Sequence, residues 1–111
     1  MKGPKIFTFA VENIPGLVAN TLEKNKLTID DIDLFVFHQA SSYMLNYLRE
    51  LCNIPEEKFF MEIETIGNTV SASIPIALKL ASEKGKISTG SRVMVVGFGV
   101  GYSWGAGVVE F

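Results

Sequence analysis

Two polar side chains stand where chemistry is expected in a layered α/β chain: His38, the single histidine of the sequence, and Asn68. His38 follows an apolar and aromatic run, Leu34, Phe35, Val36 and Phe37, that reads as a buried strand. It precedes a helix predicted to carry Met44, Leu45, Leu48 and Leu51 on one face, with Ser41 and Ser42 as hydroxyl caps. Asn68 stands between Gly67 and Thr69, after a second predicted strand and before another helix. Ligands in open α/β sheets bind at the carboxyl ends of strands, so in a parallel sheet the two side chains converge on one edge. A histidine and an asparagine together supply no nucleophile. They can donate two hydrogen bonds to one oxygen, which is an oxyanion or enolate clamp. The helix N-terminus after Asn68 adds a partial positive charge that favours a developing anion. Each residue also has a plain structural reading, His38 as a satisfied residue beside buried aromatics and Asn68 as a turn former after Gly67.

The elements that must position these residues follow from periodicity and punctuation. Residues 5–25 place Ile6, Phe9, Ala10, Ile14, Leu17, Val18 and Leu22 at helical spacing, with a kink or restart expected at Pro15. The aspartate-rich stretch 27–33 suits a tight connection with a solvated face. A strand at 34–37 is followed by a helix over about 42–52, with Asn53 in the left-handed stop position and Pro55 blocking continuation. Pro55, Glu56 and Glu57 read as one helical turn, and 59–63 as a second strand. A helix underway by Pro75 stops at Gly85, the small residues Ser71, Ala72 and Ser73 at its start allowing close backbone approach. Residues 92–98 form a third strand, central and buried on both faces, and 106–111 a fourth. The order α, β, α, β, α, β, β predicts a single α/β domain over 1–111, a mixed sheet of mainly parallel strands covered by helices, with the last strand antiparallel.

Composition narrows the class. The 111 residues are 48% hydrophobic and 20% charged with a net charge of -2, enough for one core. The basic residues are scattered, so no nucleic-acid stripe or anionic-membrane patch is present. Mean hydropathy is positive, which fits a strand layer covered on both faces or a surface that meets another domain. The single cysteine, Cys52, reads as an inert buried thiol, and with one histidine it makes no metal cluster. The run GFGVGYSWG, 97–105, lacks the spacing of a dinucleotide loop and the lysine of a P-loop. Its glycines are expected to let main chain approach a substrate or another backbone, with Phe98, Tyr102 and Trp104 filling space. A soluble, cytoplasmic chain is expected.

At HQASS (38–42), IGNTVSASIP (66–75) and GFGVGYSWGAGVVEF (97–111), and over the flanking KIFTFAVENIP and DIDLFVFHQA, the sequence resembles the C-terminal half of the 3-oxoacyl-acyl-carrier-protein synthase III family of the thiolase superfamily. The resemblance implies a five-layer fold of two similar halves, of which this chain is one, cut from a protein two or three times as long. It implies a cysteine nucleophile in the N-terminal half, loaded from acyl-CoA, and a decarboxylative condensation with malonyl-acyl-carrier-protein that initiates fatty acid biosynthesis. His38 and Asn68 match the residues that hold the malonyl thioester oxygen, and the backbone at Gly99 and Val100 matches the oxyanion loop. No cofactor is implied beyond the two thioester substrates. The implied partners are the missing N-terminal half, the acyl carrier protein, acyl-CoA and a second subunit, because members of the family are homodimers. Cys52 does not match the nucleophile, so the chain alone is expected to be inactive.

Departures accompany the match. Ser41 stands where asparagine is common, Phe37 where proline is frequent, and Tyr43 where many members carry arginine on the helix that meets the carrier. The acceptor, carrier-bound or CoA-bound, is therefore left open, as is a polyketide-type or other thiolase-superfamily condensation. A non-catalytic half-domain that binds an acyl carrier is the rival from a different class.

Overall fold

A run of apolar side chains with no polar alternation is satisfied by a strand covered on both faces. Leu34–Phe37 forms such a strand, β1, buried at every position. The computed structural model describes residues 3–38, 42–61, 73–99 and 103–111. It sets β1 beside β2 (Phe59–Phe60), β3 (Arg92–Gly99) and β4 (Ser103–Glu110) in a four-stranded sheet of order β2-β1-β3-β4. β1 is parallel to β2, with Phe35 opposite Phe59, and parallel to β3, with Leu34 opposite Val93 and Phe37 opposite Val96. β3 and β4 are antiparallel from Arg92 opposite Glu110 to Gly99 opposite Ser103. This is the mixed, mainly parallel sheet with an antiparallel last strand that the sequence predicts.

Strand alternation sends β1 and β3 side chains into two separate cores. Phe35, Phe37, Met94 and Val96 meet Ala10, Ile14, Val18 and Leu22 of α1 (Gly3–Lys24) and Met44, Leu45 and Leu48 of α2 (Ser42–Leu51). Leu34, Val36, Val93 and Phe60 meet Ala77 and Ala81 of α3 (Ser73–Glu83). Phe37 and Phe59 touch edge to face, with ring centroids 5.0 Å apart. Burying one such aromatic contributes about 1.5–3 kcal/mol relative to leaving it in water, so β1 is held from both sides.

Several expectations are corrected. α1 runs unbroken through Pro15, with no restart. The missing Pro15 N–H costs one local hydrogen bond, while Ala10, Ile14, Val18 and Leu22, at i, i+4, i+8 and i+12, keep one stripe buried against the sheet. β3 and β4 reach further towards each other than predicted, with Gly97 opposite Gly105, because glycines between apolar residues do not break a ladder that a paired strand completes. β2 is only Phe59–Phe60, and Met61 lies beyond it. Ile63, the turn at Gly67, Asn68 and Thr69, Ser71 and Ala72 lie outside the described residues, as do Ser41 and Tyr102. Leu51, expected on the apolar face of α2, is 40% exposed. It sits at the margin of that face, above Tyr47 one turn earlier.

The three described α-helices end in the same way. Lys26, Asn53 and Gly85 take positive φ of 56°, 58° and 76°. In each case the next residue donates back to a carbonyl five positions earlier: Leu27 to Leu22, Ile54 to Arg49 and Lys86 to Ala81, at 2.9, 3.1 and 2.9 Å. These are Schellman closures, and they aim the chain from each helix back under the sheet. A Cβ added at Gly85 would meet nothing within 4 Å, and neither would one at Gly16, which lies in α1 with ordinary φ. The two glycines therefore separate backbone strain from helix entropy. Gly85→Ala should lose about 1–2 kcal/mol and Gly16→Ala should gain about 0.5–1 kcal/mol in urea denaturation.

Candidate active site

His38 owes its position to β1. Its backbone N–H donates to the Val96 carbonyl at 2.8 Å, which carries the β1–β3 ladder one residue past Phe37. Strand alternation puts its side chain on the same face as Leu34 and Val36, the face that α3 covers. The ring is half-buried, and removal from water pushes its pKa below the ordinary histidine value of 6.5. Burial disfavours the charged imidazolium. The neutral ring keeps one N–H donor, which is the form an enolate clamp requires.

The carboxyl ends of β1 and β3 lie side by side, because Phe37 pairs with Val96 in a parallel register. Gly99, at the end of β3 and opposite Ser103 of β4, is thus at the same sheet edge as His38. β2 ends at that edge too, beside Val36, and the chain passes from there to α3. Asn68 lies in that passage, outside the described residues, as does Val100 beyond Gly99. The structure brings His38 and the Gly99 backbone to one edge and leaves the positions of Asn68 and Val100 undescribed.

Cys52 is buried in the core between α2 and the sheet, and burial raises its thiol pKa to about 11. A thiol so protonated at neutral pH is no nucleophile. No group of three or more metal-ligating side chains occurs among the described residues, and no described helix is long and apolar enough to cross a membrane. One feature escaped the sequence reading. Tyr43, Tyr47 and Leu51 form a second apolar stripe on α2, 72%, 37% and 40% exposed, with the tyrosine rings edge to face at 6.5 Å. Its signal was present in the spacing i, i+4, i+8, which counts as a face in its own right.

A mainly parallel sheet of order β2-β1-β3-β4 with an antiparallel last strand, covered by helices, is shared with solved structures of thiolase-like fold. Residues 22–111 match the model of the 3-oxoacyl-[acyl-carrier-protein (ACP)] synthase III C-terminal family, and the chain belongs to that family. It is 38% identical over 110 residues to the beta-ketoacyl-[acyl-carrier-protein] synthase III of Clostridium perfringens, covering 99% of this chain and 34% of the relative. A solved 3-oxoacyl-(acyl-carrier-protein) synthase III superposes with a TM-score of 0.97 at 40% identity, over 100% of this chain and 33% of that one. The priming beta-ketosynthase of the R1128 polyketide pathway superposes at 0.93 with 30% identity, over 100% and 34%. The chain therefore spans about a third of the length of the relatives it matches.

The burial of His38 has a measurable consequence. The pKa is lower in the folded state than in the unfolded chain, so below pH 6.5 the unfolded chain binds more protons and stability falls as pH falls; above 6.5 both states are neutral and the dependence vanishes. In an NMR titration the His38 ring should titrate below 6.5, and His38→Gln should flatten the decline of stability on the acid side of that value.

Proposed function

We propose that this chain is the C-terminal half of a condensing enzyme that joins an acyl group to a malonyl thioester with loss of carbon dioxide, at the start of fatty acid synthesis in the cytoplasm. The observation that carries the reading is His38, a half-buried imidazole at the carboxyl edge of the buried central strand, where burial lowers its pKa and favours the neutral ring. Its ring N–H and the Asn68 amide donate to the thioester oxygen of malonyl-acyl-carrier-protein. The carbon–carbon bond to the carboxylate breaks, carbon dioxide leaves, and the electron pair collects as an enolate whose oxygen both donors stabilise. The enolate carbon then attacks an acyl thioester on a cysteine outside this chain, loaded from acyl-CoA, and collapse of the tetrahedral centre breaks the carbon–sulfur bond and releases the cysteine thiolate. The oxygen of that tetrahedral centre is met by backbone at Gly99 and Val100. No cofactor takes part.

In this reading the nucleophile comes from the remainder of a longer polypeptide, which also forms the homodimer contact, and the 111 residues alone are inactive. Support comes from the uncovered sheet face: a Cβ at Gly105 or Gly107 of β4 would meet nothing within 4 Å, and Val109, on the same face, is 42% exposed. Similarity to the priming ketosynthase supports a second reading, with the same clamp used for polyketide starter condensation. Competition among acyl-CoA primers distinguishes the two.

In the complete polypeptide, His38→Ala and Asn68→Ala should each lower kcat for condensation about 100- to 1000-fold, while acylation of the cysteine by acyl-CoA survives. Wild-type condensation by both variants would make the two residues structural.

A further inference from the structure

We propose that Phe37 and Phe59 are positioning residues for His38: their edge-to-face contact fixes the end of β1 from the side of β2, and with it the place of the imidazole. The proposal rests on the condensing reading and deepens it, because a clamp works only if its donor stands where the oxygen becomes charged.

β1 meets its two neighbours unequally at this end. Towards β3 the register runs on through Phe37 opposite Val96, and the His38 N–H donates to the Val96 carbonyl at 2.8 Å. Towards β2 the pairing ends with Val36 opposite Phe60, since β2 is two residues long. Phe37 and His38 extend past it. The Phe37 side chain reaches back, and its ring meets that of Phe59 with centroids 5.0 Å apart and planes at 67°. Phe59 stands opposite Phe35, so this is the diagonal contact that large side chains on neighbouring strands can make. An aromatic edge on an aromatic face prefers a particular geometry, which aliphatic side chains do not impose on each other.

Phe37 is fully buried in the core that holds Met44, Leu45 and Leu48 of α2. It points to the opposite face of the sheet from His38. Phe37 therefore acts on His38 through the backbone they share, without meeting a substrate. The imidazole cannot shift along the sheet edge unless the Phe37 main chain moves with it, and that movement takes the ring off Phe59. A misplacement of about 1 Å in a reacting group can cost about a hundredfold in rate, so a small loosening of this strand end is read in turnover.

In the complete polypeptide, Phe37→Leu and Phe59→Leu should each lower kcat for condensation about tenfold. KM for malonyl-acyl-carrier-protein and the rate of cysteine acylation by acyl-CoA should change less than about twofold, which separates a misplaced donor from lost binding. The double variant should be no slower than the slower single one, because the two rings make one contact. Phe59 is half-buried, so its replacement leaves a folded protein, as circular dichroism reports. Phe59→Tyr keeps the ring and should keep kcat near wild type. Val18→Ala removes packing from the same core on α1 and should leave kcat unchanged. Wild-type kcat in both leucine variants, an equal loss in Val18→Ala, or a loss in Phe59→Tyr as large as in Phe59→Leu would each overturn the proposal. His38→Ala in the same assay reads the condensing step by itself: its loss of condensation beside wild-type rates in the leucine variants removes the positioning role and leaves the condensing reading standing.

Discussion

The pairing of β1 with β3 is the constraint on which the rest depends. β1 is only Leu34–Phe37, yet both cores of the domain meet at it. Its odd-numbered side chains fill the core under α1 and α2, and its even-numbered ones the core under α3. A slip of one residue would exchange two phenylalanines for a leucine and a valine on each side, and turn His38 to the opposite face. The volumes oppose it: Ala77 and Ala81 let α3 pack close over Leu34 and Val36, and two more phenylalanine rings beside Phe60 would overfill that side. The hydrogen bond from the His38 N–H to Val96 is the last rung of that register, so the candidate catalytic residue is aimed by the packing of the strand behind it.

The two edges of the sheet have different roles. At the edge where β1 and β3 begin, Arg92 pairs with Glu110 at 3.0 Å, Asp33 accepts from the Arg92 N–H at 2.8 Å, and Lys58 reaches the carbonyl of Asp30 at 3.2 Å. Glu110 is well exposed, so its ion pair adds at most about 1 kcal/mol and mainly fixes how β4 lies along β3. The opposite edge holds His38 half out of water and the end of the β3–β4 hairpin. Charge is thus used where strands must be aligned, and a neutral donor stands where an anion would have to be stabilised.

The central strand and the histidine were legible in the sequence because a four-residue apolar run has one physical solution, and a strand that ends in histidine can place it only at its carboxyl end. The stops at Asn53 and Gly85 were legible because the left-handed conformation selects few residues. Lys26 takes that conformation too, without the residue type that would announce it. At Pro15 the expected restart does not occur, because a local rule about hydrogen bonds yields to a buried stripe more than three turns long. The length of the β3–β4 hairpin was hidden by glycines, which read as turn residues until a partner strand supplies their ladder. On α2, spacing from Met44 and Leu48 points Leu51 to the core, but it stands at the end of the helix on the margin of that face, next to Tyr47, and is exposed. Of the proposed site residues, His38 and the Gly99 backbone lie at one edge; Asn68 and Val100 lie outside the described residues, and their part rests on motif and family.

The uncovered sheet face and the proposal that the nucleophile lies outside this chain belong to one argument. α3 covers β1 and β3 with alanines, bringing helix and sheet close, while the same face of β4 offers Gly105, Gly107 and Val109 with open space above the glycines. A surface so flat and apolar costs stability in water and suits close approach by another backbone. His38, by strand alternation, opens on this same side. A second body of protein laid on the face would bury the apolar surface, narrow the solvent access of His38 and lower its pKa further. It would also bring its own side chains within reach of the histidine. On the proposed reading, a clamp that can hold an oxygen but cannot attack a carbon needs such a neighbour, and the uncovered face marks the direction from which it would come.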